Sequence, residues 1–256
     1  ADLALGAGVL GFVVDATRVH DLGASEAQEL GYAMAVAASY LRTLTTAGVE
    51  LDAAASLVEF RFAATDEQFP TIAKLRAARQ LWARMLELSG GDPIAQVQHA
   101  VTSRPMMSIY DPYVNMLRTT VAAFAAGVAG ADSVTVLPFD TPLGRPDAFG
   151  RRIARNTSAL LIAESHVAAV ADPAGGAFAV ERLTRDVAGA AWAELGRIEE
   201  AGGIEAALAD GSLQARIDDV VARRDREIAT RKRPLTGVSE FPNLAETLPV
   251  REPDGA

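Results

Sequence analysis

A chain of 256 residues, half of them hydrophobic and 22% charged, is long enough to bury a sizeable core within one large domain. Its net charge of -9, with the densest basic run confined to Arg231-Lys232-Arg233, argues against a nucleic-acid partner. The absence of cysteine excludes disulfides, thiolate metal sites and a cysteine nucleophile, and suits a reducing, cytoplasmic setting.

The first residues, Ala1 to Gly6, carry neither a basic n-region nor an initiator Met, so they read as a cut inside a longer chain rather than a signal peptide. An apolar run from Gly11 to Ala16 then enters a polar turn, and Ser25 opens a helical pattern that continues to Ala47. Thr17 and Arg18 fall at the end of that strand, where a (β/α) barrel places its chemistry. Within the helix, Leu30, Met34, Ala37, Ala38 and Leu41 make one apolar stripe, and Tyr32 and Tyr40 fall off it as candidates for an interface.

The same alternation recurs three times. Strands are expected at Ser56 to Ala63, Ala95 to Ser103 and Ser133 to Leu137, and helices at Glu67 to Leu88, Asp111 to Ala129 and Asp147 to Ser165, with Asp66, Asp111 and Asp147 as start signals. Thr120 to Gly130, among the longest apolar stretches, is too short and too interrupted by glycine to cross a bilayer, so no membrane partner is expected. The order βαβαβαβα predicts a parallel sheet, either doubly wound or part of a barrel. The first strand lacks the glycine-rich phosphate turn of a dinucleotide fold, which favours the barrel. Four units make half of a (β/α)8 TIM-type barrel.

Turn chemistry at Ala171 to Ala177 ends the alternation, and helices near Val180 to Ala201, Ile204 to Asp210 and Ser212 to Thr230 read as an outer layer. The last of these alternates Arg216, Asp218, Asp219, Arg223, Arg224, Asp225, Arg226 and Glu227, the pattern of an exposed, ion-paired face. Pro234 to Ala256 holds four prolines and little periodicity. The expected organisation is therefore four β/α units over residues 1–170, additional helices over 171–233, and an extended arm or linker over 234–256. Only three histidines are available and no thiol, so no metal triad is expected, and the chain lacks the G-x-S-x-G elbow of a serine hydrolase.

Several strings, taken together and in order, resemble the methylmalonyl-CoA mutase family: Phe69 to Trp82, Arg152 to Thr157, Asp172 to Thr184 and Gly237 to Glu246. The resemblance covers nearly the whole chain. It implies the second half of an acyl-CoA substrate barrel, followed in full-length members by a cobalamin domain, with adenosylcobalamin as radical source. It also implies a Tyr-His pair at the substrate on the positions that hold Thr17 and Arg18 here. Threonine has no ring to set against a cobalamin, and arginine is a permanent cation with donors only.

Other departures run the same way. The family's H-x-Q-T-S-G is His99-Ala100-Val101-Thr102-Ser103-Arg104, its H-T-N is Thr135-Val136-Leu137, and its D-P-W-G-G-S-Y-Y is Asp172 to Ala179 with Ala174 for the tryptophan. Retained turns with dismantled site chemistry resemble the family's small subunit most closely. That implies no catalytic residues in this chain, adenosylcobalamin on a homologous large catalytic subunit rather than on this segment, and an acyl-CoA substrate in the joint enzyme. His20 partly matches the cobalt-ligand pattern D-x-H-x-x-G, without its Asp, and reads as a locally bonded loop histidine. His99 matches a family histidine on the substrate side but, with Val101 beside it, reads first as a satisfied, partly buried histidine, and Lys74 and Arg76, with Arg79, form a cluster that could reach CoA phosphates or be a solvated helix face. His166 reads as surface or packing. Two alternatives remain: a divergent active acyl-CoA mutase in which Arg18 pairs an acid group, and a small-molecule binding barrel.

Overall fold

The computed structural model describes residues 1–253; the last three residues of the expected arm lie outside the described residues. The first β/α unit comprises β1 (Phe12–Asp15), a short helix α2 (Thr17–Asp21) and the long α3 (Glu26–Thr46), after an N-terminal helix α1 (Asp2–Ala7). The second adds α4 (Leu51–Ser56), β2 (Val58–Ala64) and α5 (Gln68–Leu88). β3 (Val97–Thr102) with α6 (Val114–Val128), and β4 (Ser133–Thr135) with α7 (Ala148–Ala163), complete four units. The outer helices are α8 (Phe178–Glu200), α9 (Ile204–Ala209) and α10 (Ser212–Ala229).

All strand pairs are parallel, and their spatial order is the chain order, β1-β2-β3-β4. A doubly wound sheet would reverse direction at a switch point. This one does not, and it carries its helices on one face, as a sector of a TIM-type barrel does. Alternation along the strands sets the two faces. Val14, Phe60, Phe62 and Ala100 are buried towards the helices, where Phe60 meets Trp82 of α5 edge-on at 4.9 Å. Asp15, Glu59, Arg61 and His99 stand on the other face, which would line the barrel bore.

Helix starts follow the expected chemistry where a side chain can supply it. Ser25 caps α3 in a capping box with Gln28, and Asp147 caps α7 by accepting from the Gly150 N–H at 2.7 Å. Asp66 and Asp111 do not act as caps: α5 starts after Glu67 without a side-chain bond, and Asp111 sits at φ 43° three residues before α6. The strand expected to reach Leu137 ends at Thr135, and Thr17 belongs to α2 rather than to a loop.

α8 packs across α3 and α5, so α3 is buried on two sides. Gly31 makes this approach possible, because a Cβ there would lie 2.7 Å from the Glu194 side chain of α8. Tyr40 is taken up within the unit, tilted against Phe12 with ring centroids 5.7 Å apart. On α10 the expected laced face does not form. Arg216 turns inward to the buried Glu194 at 2.8 Å, and Arg223, Arg224 and Arg226 make no ion pair among the described residues. Among those residues no helix is long and apolar enough to cross a membrane.

Candidate functional site

Three clusters hold the candidate residues, two of them towards the carboxyl ends of the strands and the third among the surrounding helices. The first is a belt across the bore face. Thr17 Oγ1 donates to Asp15 Oδ1 at 2.5 Å, Arg61 Nη1 reaches Asp15 Oδ2 at 3.3 Å, and Arg61 Nε points at His99 Nδ1 at 3.4 Å. Arginine can only donate, so His99 Nδ1 accepts and its Nε2–H donates to Thr135 Oγ1 at 2.8 Å. Burial pushes the His99 imidazole below its ordinary value, and the Arg61 cation pushes it further. The belt exists because Asp15, Arg61 and His99 share one register across β1, β2 and β3.

The second cluster is buried. Glu29 of α3 is fully enclosed, and its carboxylate accepts from Lys74 Nζ at 2.6 Å and from the Ala63 N–H of β2 at 2.8 Å. His20 Nδ1 lies 3.4 Å from the same carboxylate, and His20 Nε2 meets Ser103 Oγ at 2.7 Å. Burial alone would push the Glu29 carboxyl up, yet Lys74 and His20 outweigh it and hold it below the usual carboxylate range. Glu29 is acceptor-only, so Nδ1 carries the proton and Nε2 accepts from the Ser103 hydroxyl. Ser-His-Glu in that order resembles a hydrolase relay, but Ser103 is 2% exposed and already accepts the Met106 N–H. The cluster ties the ends of β1, β2 and β3 together.

The third cluster holds the remaining cations. Arg76 of α5 clamps Asp172 through two nitrogens at 3.0 and 2.9 Å and Glu181 at 2.7 Å, fixing the turn before α8. These hydrogen bonds raise its pKa further. Arg79 donates to the carbonyls of Ala129 and Gly130 at the end of α6. A cleft of about 430 Å³ adjoins Arg76, Arg79 and Asp172, and a larger one, about 650 Å³, opens between β4 and α7 beside Arg151 and Arg155.

These positions revise the sequence expectations. Lys74 is 1% exposed and is neither a solvated helix face nor within reach of a phosphate, because its ammonium is spent on Glu29. Arg76 and Arg79 are likewise engaged inside the fold. His20 is bonded not locally but to Ser103, 83 residues away. His99 does lie on the bore face, and Thr17 is held by Asp15. Arg18 is exposed at the mouth near Tyr32 and makes no ion pair among the described residues. His166 is exposed. The Glu29-Lys74-His20-Ser103 cluster escaped the sequence, whose sole cue was a Glu within the largely apolar register of a long helix.

Comparison with known proteins identifies the family. The family model described as methylmalonyl-CoA mutase matches residues 11–256. The chain belongs to the methylmalonyl-CoA mutase family. It is 57% identical over 247 residues to the methylmalonyl-CoA mutase small subunit of Streptomyces virginiae, covering 96% of this chain and 40% of that protein. It is 44% identical to the small subunit of Propionibacterium freudenreichii subsp. shermanii, covering 90% and 37%, and 36% identical to the mitochondrial methylmalonyl-CoA mutase of Bos taurus, covering 87% and 30%. The chain thus spans about two-fifths of the length of the first of these relatives or less.

Mutases of this family imply a cobalamin. The residues here do not fit its cobalt: His20 spends both ring nitrogens within the fold, and no group of three His, Cys, Asp or Glu among the described residues is arranged to hold a metal ion.

Proposed function

We propose that this chain is the C-terminal half of the barrel of a methylmalonyl-CoA mutase small subunit, which stabilises a homologous large catalytic subunit and carries no radical chemistry itself. The joint enzyme interconverts succinyl-CoA and methylmalonyl-CoA in the cytoplasm, with adenosylcobalamin and the acyl-CoA on the large subunit. The observation that carries this reading is the pair Thr17 and Arg18 at the mouth, where the family resemblance calls for Tyr and His. Thr17 is bonded to Asp15 and Arg18 points to solvent, so neither presents an aromatic ring or an imidazole donor to a substrate. The engagement of Lys74, Arg76 and Arg79 inside the fold supports it, since these three candidates for CoA phosphates are already used.

The test is co-purification of the full-length protein from its own cell, followed by assay of each chain. The expected result is a complex with a larger homologue that has Tyr and His at these two positions. Adenosylcobalamin binding and acyl-CoA turnover by this protein alone would overturn the reading. Such turnover would instead favour a divergent active mutase, in which the unpaired Arg18 meets an acid group of the substrate.

A further inference from the structure

The segment from α10 onward visits the mouth end of every β/α unit in chain order. Gln28 of the first unit donates to the Arg216 carbonyl at 2.9 Å, and Gly23 lies against Val221. Glu67 of the second pairs with Arg233. In the third, Arg118 donates to the Thr236 carbonyl and the Asp111 N–H to Glu246 at 2.6 Å. In the fourth, Arg251 bridges Asp140 at 2.6 Å and Asp147 at 2.9 Å, and the Arg145 N–H donates to the Glu252 carbonyl at 2.7 Å.

The far end of this strap holds a buried charge. Asp140 is fully enclosed, and its Oδ2 receives Arg251 and, at 3.2 Å, the Asp147 N–H. Its Oδ1 has no hydrogen-bond partner among the described residues and lies against Gly150 of α7, where a Cβ would come within 2.2 Å. A carboxylate so placed is tolerable only while a cation stands against it, because an unpaired buried charge is strongly destabilising.

We propose that Arg251 is a latch: bound, it keeps the 138–147 loop docked on α7; released, it forces Asp140 out to water and the loop off Gly150. The latch is a conformational device in the fold and does not depend on the proposed mutase role.

Hydrogen exchange read by mass spectrometry on the full-length protein tests it. In Arg251→Ala, amides 143–151 should exchange ~10-fold faster or more, along with the strap, while β2 and α5 keep their protection. Adding Asp140→Asn should restore slow exchange at 143–151, apart from Arg145 whose N–H bonds the strap's Glu252 carbonyl, but not in the strap, since a neutral amide needs no counter-charge. Unchanged protection at 143–151 in Arg251→Ala, or a double variant as fast as the single one, overturns the latch. Asp140→Asn alone covers the case in which Arg251→Ala does not fold: it should loosen residues 250–252 with the Arg145 amide they bond and leave the rest of 143–151 protected, and loosening of that remainder also overturns it.

Discussion

Replacing Lys74 by methionine keeps most of the side-chain volume and strands Glu29 as a fully buried carboxylate without its lysine. Removing one partner of such a pair costs roughly 3–5 kcal/mol. An upper bound follows from the carboxyl itself, which can escape by taking up a proton. Starting from the ordinary glutamate value of 4.5, protonation at pH 7 costs about 3.4 kcal/mol at ~1.36 kcal/mol per pH unit, and about 0.7 kcal/mol at pH 5. Lys74→Met should therefore destabilise by about 3 kcal/mol at pH 7 and by markedly less at pH 5, a slope that urea unfolding of wild type and variant at both pH values reads directly. Glu29→Gln in the Lys74→Met background should recover much of the loss, because Gln still accepts the Ala63 N–H. A cost below about 1 kcal/mol at pH 7, or one independent of pH, would refute the account of Glu29 as an ionised, Lys74-dependent group.

Wild-type stability should itself fall in acid as pH drops below 4.5, since the lowered Glu29 pKa contributes stability that is complete above that value and lost beneath it; pH-dependent thermal melts check this. His99 acts in the same direction at higher pH: its lowered pKa means the unfolded chain binds the proton first as pH falls through 6.5, so His99→Gln should flatten the stability profile just below that pH. Gly31→Ala should lower the melting temperature, because the overpacking of about 1–3 kcal/mol against Glu194 outweighs a helix-propensity gain of about 1 kcal/mol. The double change Thr17→Tyr with Arg18→His should yield no mutase turnover with adenosylcobalamin and methylmalonyl-CoA, because Val101, Leu137 and Ala174 depart from the family pattern too; measurable succinyl-CoA would show that the pocket survives.

The long elements were legible because their periods and caps agree: Ser25 and Asp147 sit where the helices begin, and Phe60 and Phe62 alternate with Glu59 and Arg61 along β2. α2 and α4, at five and six residues, are too short to show a helical period. The burial of Lys74 was invisible for a different reason. A lysine in an amphipathic helix reads as solvated, and only the fold brings Glu29, 45 residues away, against it. His20 and Ser103 meet in the same way, through strand order rather than spacing. Arg216 misread as part of an exposed charged face because its partner, Glu194, lies on another helix.

The belt from Thr17 through Asp15, Arg61 and His99 to Thr135 gives each of the four strands a share in one hydrogen-bonded chain. Substituting any interior member leaves a donor or acceptor without its mate, so the effects of changes at these sites will not add. Divergence of the bore is then constrained to move several positions together. Sequence variants that differ at Asp15 alone should be rarer among viable descendants than those that change Asp15 and Arg61 as a pair, and the lineage inherits the polarity of its bore as a block.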